Sequence, residues 1–122
     1  MCGDTHDCSI ATGDRWLQAW FQKLVASPAY QSGTTALFIT WDEDDHSEQN
    51  HIATIIVSPI TPAGVRSEIT YDHYSLLRTT EALLGIDSYL GNAATAASMR
   101  GVFFPEPGTW PLPLPELRSL NH

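Results

Sequence analysis

The sequence predicts an α/β fold on three observations. A segment with helical apolar spacing follows a short cysteine loop, two apolar runs rich in β-branched residues come next, and a second helical segment follows them. Both runs are continuous rather than alternating, the pattern of strands covered on both faces. The expected sheet is therefore mostly parallel and flanked by helices. At 122 residues, 43% hydrophobic and 16% charged, the chain has the length of one domain or a piece of one. It has enough apolar residues to build a core.

The first helix is predicted over residues 14–26, where Leu17, Trp20, Phe21, Leu24 and Val25 share a face, with Thr12, Gly13 and Asp14 as candidate caps and Ser27-Pro28 as the stop. Residues 35–41, Thr35-Ala-Leu-Phe-Ile-Thr-Trp41, read as a buried strand, and residues 52–57 as a second one ended by Ser58-Pro59. Between them lies a polar loop at the C-terminal end of the first strand, where open α/β sheets hold their ligands. Leu76, Leu77, Thr80, Leu83 and Leu84 mark another helix, with Asp72 as its cap and Gly85 as its stop. The expected organisation is one domain over residues 1–104 and a tail over residues 105–122. Pro105, Pro107, Pro111, Pro113 and Pro115 would make that tail extended.

Six Lys and Arg against fourteen Asp and Glu give a formal charge of -8. That balance offers no footprint for a phosphate backbone or an anionic lipid surface, so nucleic-acid and membrane-surface partners are not expected. No apolar run reaches about 18 residues, and no basic region precedes an apolar stretch at the N-terminus. Neither a membrane span nor an export signal is expected within these residues. The two cysteines, Cys2 and Cys8, flank Asp4, His6 and Asp7. A disulfide there suits an oxidising compartment, whereas a metal cluster or two free thiols suit a reducing one.

Carboxylate and imidazole coincide at three places: Asp4, His6 and Asp7 in the cysteine loop; Asp42, Glu43, Asp44, Asp45 and His46 after the first strand; and His51 before the second. Mixed oxygen and nitrogen donors suit Zn, Mn or Fe, and a carboxylate set suits Ca or Mg; spacing alone does not choose. A charged run between strands is ordinarily a solvated loop, and that is the expectation for Asp44, Asp45 and Glu48. Asp42 and Glu43 differ because they follow directly on a buried strand. Unpaired charge is costly there, and a cation compensates it. Taken singly, His6 and His51 read as ordinary loop and strand-start residues, and His73 as a first-turn helix residue.

Six phrases carry a resemblance: Cys2-Gly-Asp-Thr-His-Asp-Cys8, Gly13-Asp14-Arg-Trp-Leu17, Ile39-Thr-Trp-Asp-Glu43, Asn50-His51, Ile56-Val-Ser-Pro59 and Tyr71-Asp-His-Tyr-Ser-Leu-Leu-Arg78. In this order they resemble the bacterial phosphoesterase family of phospholipases C and acid phosphatases, most closely its secreted acid phosphatase branch, within the alkaline-phosphatase-like superfamily. The resemblance spans residues 1–104 and implies part of an alkaline-phosphatase-like α/β sandwich. It implies a divalent metal held by Asp42, Glu43, Asp4, His6 and His51. It also implies contact of His51, Asp7 and His46 with a phosphorylated small molecule or lipid headgroup.

Members of this family are normally about twice as long. The resemblance implies that the first strand and the phosphorus-attacking group precede Met1, so no catalytic nucleophile is assigned within the chain. The expectation is the C-terminal portion of a secreted or periplasmic, metal-dependent phosphomonoesterase, inactive alone, that associates with its missing N-terminal half or with itself. The alternatives are a phospholipase C-type phosphodiesterase fragment, a non-catalytic dimerising or binding domain on the same scaffold, and an α/β domain with a merely solvated acidic loop.

Overall fold

The computed structural model describes residues 5–106. By its internal contacts the chain divides into two compact units, Met1–Pro59 and Ile60–His122. The first unit holds helix α1 (Ile10–Val25), the short helix α2 (Pro28–Gln31) and strands β1 (Leu37–Thr40) and β2 (Thr54–Val57). The second holds helix α3 (His73–Leu83), a 3-10 turn (Gly91–Ala94) and the short helix α4 (Arg100–Phe103).

Helix α1 begins four residues before its predicted start, with Ser9 in the extended cap position. Thr12, Gly13 and Asp14 are therefore helical residues, not caps. Gly13 is buried, and the helix runs through it despite a cost of roughly 1 kcal/mol relative to alanine. Ser27-Pro28 ends α1 as expected and also starts α2, because the Ser27 hydroxyl accepts from the Tyr30 N–H at 3.3 Å and Pro28 sits where its missing N–H costs nothing.

The sheet corrects an expectation. β1 and β2 are antiparallel, with Leu37 opposite Val57 and Thr40 opposite Thr54, and they form a two-stranded sheet among the described residues. Continuous hydrophobicity had implied parallel strands covered on both faces. Here Leu37, Phe38 and Ile39 are half-buried, and Ile55 is 53% exposed. Helix α1 approaches α2 closely and faces β1 across a groove of about 400 Å³ lined by Trp16, Leu17, Trp20, Phe21 and Leu24 on the helix side.

In the second unit, α3 starts on a capping box: the Asp72 carboxylate accepts from the Ser75 N–H at 2.8 Å, and the Asp72 N–H donates to the Ser75 hydroxyl at 3.2 Å. It ends at Gly85, whose φ of +74° is open to glycine at little cost. Side chains of α3 then pin the returning chain. The Thr79 hydroxyl donates to Ser75 O and accepts from the Met99 N–H at 2.9 Å. Arg78 donates to the carbonyls of Ala93 and Ala94 while its guanidinium stacks 4.4 Å from the Tyr89 ring centre. Glu81, 5% exposed, accepts from the Leu90 N–H. Ala93, Met99 and Phe104 form the buried apolar centre.

Candidate functional site

The residues singled out in the sequence lie in the first unit, at the end of β1 and in the segment before α1. The loop between β1 and β2 is closed at its base by the Thr40 and Thr54 hydroxyls, 2.8 Å apart. Asp44 organises the loop itself. One carboxylate oxygen accepts from the His46 N–H at 2.8 Å, and the other accepts from the N–H groups of Glu48 at 3.0 Å and Asn50 at 2.8 Å. The Asn50 side-chain carbonyl returns the contact by accepting from the Asp44 N–H at 3.1 Å. A second, smaller turn forms where Asp45 accepts from both the backbone N–H and the hydroxyl of Ser47.

This clasp holds strained backbone. His46, Gln49 and Asn50 have φ of +68°, +55° and +62°, a region that costs a residue with a side chain about 1 kcal/mol or more. The backbone N–H of His46, and then those of Glu48 and Asn50, hold the Asp44 carboxyl below its ordinary range, against an opposing desolvation effect. Asp45 is lowered in the same way by the Ser47 hydroxyl and then the Ser47 N–H. Asp44 thus spends its oxygens on the backbone. Asp42 and Glu43, two and one residues before it, are the exposed carboxylates at the strand end.

The segment before α1 reaches the same place. The Trp41 indole N–H donates to the Thr5 hydroxyl at 3.1 Å, a bond between residues 36 apart that sets Thr5 and its neighbour His6 against the residue preceding Asp42. Thr5 has a φ of +66°, so the chain turns sharply at this contact. His6 Nδ1 and Asp7 Oδ1 lie 2.9 Å apart, with both side chains more than three-quarters exposed. His51 is exposed at the far end of the loop, its backbone N–H bonded to Glu48 O at 3.1 Å.

The structure therefore brings the His6 and Asp7 segment to the end of β1, and it places Asp42, Glu43, His46 and His51 on one loop. Among the described residues, no three His, Cys, Asp or Glu side chains group as a metal site would require. The donors are chemically suited to a divalent cation, being exposed carboxylates and imidazoles. The described residues do not assemble a metal site by themselves. Asp4 and Cys2 lie outside the described residues, as does most of the proline-rich tail.

Comparison with known proteins gives the family. Residues 1–87 match the Phosphoesterase family, and this stretch includes both the segment before α1 and the whole acidic loop. The chain belongs to that family. It is 36% identical over 101 residues to the phosphatidylinositol-3-phosphatase of Mycobacterium tuberculosis, an alignment covering 80% of this chain and 32% of that protein. It is 29% identical over 92 residues to an acid phosphatase of Aspergillus fumigatus, covering 72% of this chain and 20% of the relative. A probable acid phosphatase of Kluyveromyces lactis is 28% identical over 86 residues, covering 67% and 20%. The phosphoesterase chain described here thus spans a third or less of the length of these relatives. No solved structure matches it.

Two contributors were missed in the sequence. Thr5 had no signal of its own, because its role depends on a contact with Trp41 across the fold. The backbone bonds of Asp44 were not read, although an Asp in a polar run that accepts from the N–H two residues on, here His46, makes an Asx turn.

Proposed function

We propose that this chain is one portion of a metal-dependent phosphomonoesterase, with Asp42 and Glu43 as metal-holding carboxylates, His6, His51 and Asp4 completing the donor set, and Asp7 and His46 at the substrate edge. The observation that carries the reading is the Trp41 to Thr5 hydrogen bond, which sets the His6 segment beside the acidic strand end. A divalent cation held there would supply charge stabilisation for phosphoryl oxygens. The chain's own residues would present anionic ligands on a loop fixed by Asp44, with Trp41 as the wall beside them.

The relatives are named as phosphatases, which supports a phosphate monoester as substrate rather than the diester a phospholipase C would cleave. The attacking group is proposed to come from the rest of the phosphoesterase domain, and the chain alone is proposed to be inactive. A Cys2–Cys8 disulfide and a secreted or periplasmic location belong to the same proposal. A mass gain on reduction under denaturing conditions tests the disulfide.

Titration calorimetry with Mn²⁺ and with Zn²⁺ tests the metal reading. One equivalent should bind, and Asp42→Asn should abolish it. No binding of either ion at millimolar concentration would favour a binding module on the same scaffold. Hydrolysis of p-nitrophenyl phosphate by the isolated chain, lost in Asp42→Asn, would contradict the proposal that the attacking group lies elsewhere.

A further inference from the structure

Thr5 is held by a bond that decides which way its hydroxyl works. An indole N–H only donates, so at 3.1 Å from Trp41 Nε1 the Thr5 oxygen accepts. A threonine hydroxyl carries one hydrogen and two lone pairs. One lone pair is committed to Trp41, and no acceptor among the described residues takes the hydrogen. A hydroxyl that accepts one hydrogen bond is polarised and becomes the better donor in the next. The backbone at this residue is constrained as well. Its φ of +66° is an outlier for a β-branched residue, and such strain collects at sites that bind or react. Thr5 is half-buried and adjoins His6, while Trp41 adjoins Asp42, so the uncommitted donor stands where the two segments of the candidate site touch.

We propose that Thr5 is a substrate-binding residue whose hydroxyl donates to a non-bridging oxygen of a phosphoryl group. The inference rests on the reading of this chain as one portion of a phosphomonoesterase and adds a ligand contact to it. An ionised phosphoryl oxygen only accepts, and a donor already polarised by Trp41 gives it a charge-assisted hydrogen bond. Among exposed carboxylates and imidazoles, a neutral donor also meets the phosphoryl group without adding negative charge. The rival role for this hydroxyl is attack on phosphorus, and the Trp41 bond stands against it. A nucleophilic hydroxyl needs a base to take its proton, whereas the contact made to the Thr5 oxygen is from a donor, which draws electron density away from it. Thr5 therefore holds the phosphoryl group and leaves the attack to another residue.

Inorganic phosphate titrated into the 122-residue chain at saturating Mn²⁺, followed by calorimetry, tests this contact. Thr5→Val keeps the side chain's shape and removes the donor, and Trp41→Phe breaks the same tie between the segments but keeps the donor. A merely structural role for Thr5 gives both variants the same loss of phosphate affinity. The expected losses are unequal: about tenfold or more for Thr5→Val and less than about threefold for Trp41→Phe, with Thr5→Ser within about threefold of the unsubstituted chain. Equal losses, a Thr5→Val chain that binds phosphate normally, or an Mn²⁺-bound chain that takes up no phosphate would overturn the proposal and leave the metal reading standing. A chain that binds no Mn²⁺ would overturn the proposed function and this contact with it. A phosphoryl group found on Thr5 by mass after incubation with p-nitrophenyl phosphate would also overturn it, because the hydroxyl would then be the attacking group.

Discussion

Around α3 in the second unit, Ala93, Met99 and Phe104 are buried, and Thr79 and Glu81 are buried with them on hydrogen bonds to the returning chain. The first unit holds three of the four tryptophans, yet Gly13 is its one buried residue among those described. The difference is not one of apolar content. Polar latches fold the second unit's chain back over its helix, whereas α1 and β1 leave their shared apolar surface as an open groove. A unit that closes on itself should lose stability when its centre is cut, and an open one should lose little.

The largest effect expected is therefore from Phe104→Ala, about 3 kcal/mol, against about 1 kcal/mol for Phe21→Ala, whose side chain is only half-buried. Urea unfolding followed by amide exchange in each unit measures both, and equal costs would erase the contrast. Thr79→Val keeps shape but strands the buried Met99 N–H, and should cost about 1–3 kcal/mol in the second unit. Trp41→Phe removes only the indole donor to Thr5. About 0.5 kcal/mol is expected, together with faster amide exchange at residues 5–8. Unchanged exchange there would mean that the bond does not hold the segment.

The smallest effect is a pH dependence confined to the acidic loop. The Asp44 carboxyl is lowered in the folded chain, so its contribution is complete above the ordinary carboxylate value of about 3.9 and is lost as pH falls through its lower folded value. Amide shifts of His46, Glu48 and Asn50 should hold steady on acidification to about pH 4 and then move together. Asp44→Asn should loosen the same amides at neutral pH and remove the joint transition.

Local signals in the sequence were strong where one residue type does one thing. Asp72 caps α3, Gly85 ends it, and Ser27-Pro28 separates two helices, each through a backbone requirement visible in the residue itself. The start of α1 was misplaced because Gly13 looks like a boundary until its burial is known. Strand direction was misjudged because a continuous apolar run reports the cover a strand is suited to, and in this chain that cover is not closed over β1. At the candidate site, the position of Asp42 and Glu43 directly after an apolar strand was legible, but the low-dielectric surroundings expected there are absent, because both residues are exposed. The Thr5 contact was not legible, since nothing in either segment announces a bond between residues 36 apart.

The central claim is that the segment before α1 and the carboxylates after β1 act as one cation site. Amide resonances recorded during Mn²⁺ titration test it directly, because the paramagnetic ion broadens whatever lies near it. Signals of His6, Asp7, Asp42 and Glu43 should broaden together at one common concentration, and Asp42→Asn should spare all four. Broadening restricted to residues 44–48, or two groups of signals that respond at different Mn²⁺ concentrations, would contradict it.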